Sequence, residues 1–75
     1  MKRFVKLQTG HFIEVSKDTK HGYSFGWRVT REGERFEKET ATTTTQFLIV
    51  FHASEIVNEY TMNLHYGRLE PTRAQ

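Results

Sequence analysis

The chain has 75 residues, 11 Lys and Arg against 9 Asp and Glu, and no cysteine. That length sets one domain, residues 1–75, with a thin stability margin, because so short a chain buries only about 60% of the surface it exposes when unfolded. The composition excludes disulfide and thiolate-metal chemistry, the apolar run Phe47–Phe51 is too short to span a bilayer, and a net charge of +2 does not identify a nucleic-acid binder.

Charge is unevenly spread. Residues 1–31 carry seven bases (Lys2, Arg3, Lys6, Lys17, Lys20, Arg28, Arg31) against Glu14 and Asp18, a balance of +5; residues 32–75 carry four bases against seven acids, a balance of −3. Such a split favours oriented contact with a charged partner unless folding interleaves the two halves. The segment MKRFVKLQTG is basic but lacks the apolar core of a signal peptide, so a soluble cytoplasmic protein is expected.

In chain order, RFVKLQ and HFIEVS flank Thr9-Gly10 and predict a hairpin of two short strands. The segment Lys17–Gly22, KDTKHG, has no periodicity and reads as a mobile loop. From Tyr23 to Arg31 the alternation is strict, with Tyr23, Phe25, Trp27 and Val29 on one face and Ser24, Gly26, Arg28 and Thr30 on the other. Period two over that length predicts a strand, and Gly26 marks a bulge or a close backbone approach. Glu32-Gly33 then reads as a two-residue turn. That register sets Val29 opposite Phe36, Arg31 opposite Glu34, Arg28 opposite Glu37, Trp27 opposite Lys38 and Phe25 opposite Thr40.

The C-terminal part admits two readings. Ile49, Val50, Ala53, Ile56, Val57, Tyr60 and Leu64 form one stripe on a 3.6-residue helix, Thr43-x-x-Gln46 fits a capping box and Gly67 fits a helix C-cap. These predict a helix from about Thr44 to His65. The alternative is a strand over Gln46–Phe51 followed by a helix capped by Ser54. Residues 68–75 read as a frayed tail. The expected fold class is therefore α+β: a small antiparallel sheet, about four strands in two hairpins, packed against one C-terminal amphipathic helix that covers Trp27.

No GxSxG, phosphate-binding glycine loop or paired-cysteine motif is present, and His52-x-x-Glu55-x-x-x-Glu59 is an incomplete ligand set, so no catalytic residue, metal or cofactor is expected. The leading functional expectation is a non-enzymatic regulatory or adaptor protein, of the size of small virus-encoded regulators, that binds a protein partner such as a component of the transcription machinery. Its anchors would be Phe47, Leu48, Phe51, Arg28 and Arg35. The alternative is an RNA or single-stranded DNA binding module using Lys2, Arg3, Lys6, Lys17, Lys20, His21, Arg28 and Arg31. A third reading is a small ribonuclease or toxin, whose sites have no linear signature. A monomer or weak homodimer with no membrane contact is expected.

Overall fold

The computed structural model describes residues 2–73. Eight strands are formed among them: β1 (Arg3–Leu7), β2 (Phe12–Asp18), β3 (Tyr23–Val29), β4 (Glu37–Glu39), β5 (Thr44–Gln46), β6 (Leu48–His52), β7 (Ile56–Asn63) and β8 (Arg68–Pro71). Six make one antiparallel sheet in the order β6-β3-β2-β1-β7-β8, and β4 pairs with β5 in a two-stranded sheet. The described residues contain no α-helix, only 3-10 turns at Lys20–Gly22 and Ala53–Glu55. The α+β expectation is therefore overturned: the fold is all antiparallel sheet.

The predicted N-terminal hairpin forms as β1 and β2. The Gly10 N–H donates to the Leu7 carbonyl at 2.8 Å, the Leu7 N–H donates to His11 O at 2.9 Å, and Gly10 has φ +92°. The same arrangement follows β3. The Gly33 N–H donates to Thr30 O at 2.8 Å, the Thr30 N–H donates to Glu34 O at 2.7 Å, and Gly33 has φ +83°. Each is a three-residue loop closed by a left-handed glycine rather than a two-residue turn. The extra residue moves the register by one, so Val29 lies opposite Arg35 and not Phe36. The same shift removes the Arg31–Glu34 and Arg28–Glu37 pairs, since Thr30 bonds to Glu34 and the Phe36 N–H donates to Arg28 O at 3.0 Å. The remaining pairs fail because β3 takes β6 as its partner, with Phe25 opposite Val50 and Trp27 opposite Leu48.

The two registers reveal a longer unit. The Arg28 N–H donates to Phe47 O at 2.9 Å, while Glu37 lies opposite Gln46. Phe47 and Gln46 are consecutive, so residues 29–36 are an eight-residue excursion from one strand of a continuous ribbon. One side of the ribbon is β3 then β4; the other is β5 then β6. The excursion folds over the sheet, where a Cβ on Gly33 would meet the Met62 side chain, and the Leu69 N–H donates to Arg31 O at 2.7 Å.

The predicted helix over Thr44–His65 is replaced by β5, β6, a 3-10 turn and β7. Positions four apart share a face in a strand as well as in a helix, so much of the apolar stripe fitted both periods. The strand alternative over Gln46–Phe51 comes close to β6, but the helix that reading placed after it does not form either. Gly67, φ +71°, closes the β7–β8 turn rather than a helix. Residues 68–71 are β8, with Leu69 fully buried, and not a frayed tail; Ala74 and Gln75 lie outside the described residues. Lys17 belongs to β2, and the expected 17–22 loop shrinks to a 3-10 turn with His21 at φ +64°.

Topology forces the sheet to curl. β6 and β7 run in the same sense and are separated by β3, β2 and β1, a lateral distance of about 19 Å on a flat sheet at ~4.8 Å per strand. The link from His52 to Ile56 spans at most about 14 Å. Curling carries Phe51 of β6 onto Val5, Leu7 and Ile13, with Val15, Ile49 and Ile56 around them. On the other face Phe4, Val29 and Leu69 form a second cluster with Phe12, Tyr60 and Met62. β1 is thus buried on both faces, at Phe4 and Val5.

Gly26 sits at a close approach, as its position suggested: a Cβ there would lie 2.2 Å from the Glu14 carbonyl oxygen. Phe51 is 2% exposed and Leu64 90%. Phe51→Ala is expected to cost about 3–5 kcal/mol, whereas Leu64→Ala stays within ~0.5 kcal/mol, both read from urea unfolding midpoints. Equal effects at the two sites would contradict this packing.

Candidate strand-edge interface

The ribbon strand Thr44–His52 forms one lateral edge. The Arg28–Phe47 bond and the Thr40 N–H bond to Thr43 O, 2.8 Å, fix which residues turn inward. Antiparallel pairing alternates, so Thr43, Thr45, Phe47, Ile49 and Phe51 direct their backbone groups at β4 and β3. Thr44, Gln46, Leu48, Val50 and His52 direct theirs outward. The His52 N–H is already taken, donating to Glu55 Oε2 at 2.7 Å.

Sequence explains why this strand ends where it does. The His52 Nδ1 accepts from the Ser54 N–H at 3.1 Å, completing a reciprocal cap with Glu55, and its Nε2 lies 3.0 Å from His21 O. The Glu55 carbonyl accepts from the Gln8 N–H at 2.9 Å, tying the turn to the β1–β2 loop.

Side chains beside the edge are apolar. Leu48 is 52% and Val50 68% exposed, and across the ladder from them stand Trp27 and Phe25. Tyr23 is exposed, packs edge-on to His52 at 4.9 Å, and continues the row. Trp27 is half-buried, covered not by a helix but by Arg35, whose guanidinium carbon lies 4.6 Å from the ring centroid. Arg35 also donates to Gln46 Oε1 at 3.1 Å and lies 3.8 Å from Glu14 Oε1.

The predicted anchors divide. Phe47 and Leu48 are exposed on this edge, and Arg35 flanks it. Phe51 is buried in the core and is no surface anchor. Arg28 stacks on Phe36, 4.2 Å from guanidinium carbon to ring centroid, with its Nε buried and unpaired. Val50 and Tyr23 were missed because a helical or core reading assigned both to the interior.

The basic residues do not form one patch. Arg3 donates to both Glu59 carboxylate oxygens, at 3.1 and 3.0 Å, and lies 3.5 Å from Asp18. The Glu59 hydrogen bonds raise its pKa above the ordinary arginine value. Arg31 donates to Leu69 O at 2.7 Å and to Glu70 at 2.9 Å. Lys2, Lys17, Lys20 and His21 are exposed. Lys6 and Arg31 stand 5.7 and 5.8 Å from the Phe12 ring centroid, and Tyr60 meets that ring edge-on at 5.0 Å. His52, Glu55 and Glu59 share no helical face, since Glu55 caps His52 and Glu59 pairs with Arg3. No group of three or more His, Asp or Glu able to hold a metal occurs among the described residues, and no helix there is long and apolar enough to cross a membrane.

The chain matches no protein-family model, no curated protein and no solved structure.

The Arg31 hydrogen bond, aided by Arg68, lowers the Glu70 pKa below the ordinary glutamate value. Its folded value lies below its unfolded one, so its contribution to stability is present above about pH 4.3 and is lost as pH falls from there. Glu70→Gln is expected to lower the melting temperature at pH 7 and to flatten this part of the acid limb. A variant with an unchanged pH profile would show that the β8–Arg31 contact carries no such linkage.

Proposed function

We propose that this protein is a non-enzymatic binding module of the cytoplasm that recognises another polypeptide by adding a strand to its Thr44–His52 edge. One observation carries the reading: the segment from Thr40 to Ser54 holds no Lys, Arg, Asp or Glu, and it forms a free sheet edge bearing exposed Leu48 and Val50. Edges left free by folding are ordinarily blunted by charge or proline. The opposite edge, β8, carries Arg68, Glu70 and Pro71, and both backbone groups of Leu69 are already bonded to Arg31. Outward N–H and C=O groups supply affinity, and the row of Tyr23, Phe25, Trp27, Leu48 and Val50 supplies side-chain selectivity.

A displayed library of random peptides tests this. Selected peptides are expected to be uncharged at alternate positions, and binding is expected to fall at least tenfold in Val50→Lys while Leu64→Lys binds as before. A library that yields no binder sensitive to Val50→Lys, from a chain that does not pair with itself through this edge, would remove the reading.

A second reading has its own support. Lys6 and Arg31 beside Phe12, with Tyr60 adjoining, make a small cationic aromatic surface that suits single-stranded nucleic acid. It predicts binding that weakens steeply with salt and a further loss in Lys6→Ala, read by fluorescence anisotropy of labelled RNA and DNA.

A further inference from the structure

We infer that the occupant of the Thr44–His52 edge is a second copy of this chain, paired antiparallel about a two-fold axis beside Leu48. The inference rests on the strand-addition reading and names its partner.

The edge is its own complement. It presents nine consecutive uncharged residues, TTQFLIVFH, so pairing it with itself brings no like charges together. Residue 48 is the midpoint of 44–52, and its backbone groups point outward. A two-fold axis there overlaps the whole strand. Leu48 then faces Leu48 of the second copy, Gln46 faces Val50, and Thr44 faces His52. The last pair keeps only part of its bonding, because the His52 N–H is held by Glu55. Opposed side chains in such pairs lie on one face. Leu48 therefore packs beside Leu48 of the second copy and Val50 beside its Gln46, which reduces the exposure of both and continues the row of Trp27 and Phe25 across a shared sheet face.

Geometry also limits the assembly. Each copy offers one edge free of charge, while β8 is blunted by Arg68, Glu70 and Pro71. An isologous contact consumes the competent edge of both partners, so the assembly closes at two and does not propagate into a fibre.

The chain has no cysteine, so a single introduced one reports the contact cleanly. Hydrogen-bonded antiparallel neighbours lie about 5.5 Å apart at Cα, within disulfide reach. Light scattering on the unmodified protein is expected to give a mass rising from 8.9 kDa to twice that value with concentration. Val50→Lys is expected to raise the dissociation constant at least tenfold, with an unchanged far-ultraviolet spectrum. Under mild oxidation Leu48→Cys is expected to cross-link at least tenfold faster than Leu64→Cys at equal concentration. A monomer at every concentration, a mass that climbs past two copies, or equal cross-linking rates would overturn the inference. Peptides that still bind and depend on Val50 would then leave the strand-addition reading standing without the second copy. A chain that dimerises as described but selects no peptide would confine the edge to self-recognition.

Discussion

The link from His52 to Ile56 is the constraint on which the fold depends. Its few residues must join strands that a flat sheet would hold far apart, so the sheet has to curl. The His52–Glu55 cap makes that bend specific, since each side chain satisfies a backbone N–H that the turn would otherwise leave without an intrachain partner. Curling delivers Phe51 to the β1 face that carries Val5 and Leu7. A short chain thereby obtains an enclosed apolar core without a helix to cover its sheet.

The opposite face is closed by different means. The eight-residue excursion between the Arg28 and Glu37 rungs lies over Phe4 and Met62, and Arg31 reaches from it to β8. Placing one small cluster on each face of β1 spreads burial through a thin molecule. Neither cluster is large, and the polar contacts at Arg31, Arg35 and Gly33 close the gaps between strands. Arg35 illustrates the economy: one guanidinium covers Trp27, holds Gln46 and approaches Glu14.

These closures consume all three arginines that a sequence reading assigns to nucleic acid, and leave Lys2, Lys17, Lys20 and His21 exposed. Arg3 and Arg31 become structural, and Arg28 is stacked against Phe36. Two ion pairs, Arg3 with Glu59 and Arg31 with Glu70, join the basic first half to the acidic second, while Glu14 with Arg35 joins them in the opposite sense. Folding also leaves the uncharged edge free. That contrast between two edges of one sheet is visible only once strand order is known, because β6 and β8 look equally terminal or equally internal in a linear sequence.

Local chemistry determined the parts that depend on neighbours in the chain. Alternation fixed β3, glycine placed the turns at Gly10 and Gly33, and Gly26 announced a backbone approach that Glu14 supplies. The absence of cysteine and of charge from Thr40 to Ser54 was likewise there to read. Register was lost to a single residue, because a left-handed glycine after a three-residue loop and a two-residue turn differ in bonding, not in composition. Tertiary structure decided the rest. Ile49, Ala53 and Val57 satisfy helix and strand spacing alike, and the choice fell to β1, whose second edge needed β7 and whose first face needed Phe51. A strand's hydrogen bonds lie outside itself, so a sequence shows that it alternates without showing what it pairs with. For that reason Phe51 and Val50, adjacent in sequence and similar in chemistry, end as core and surface.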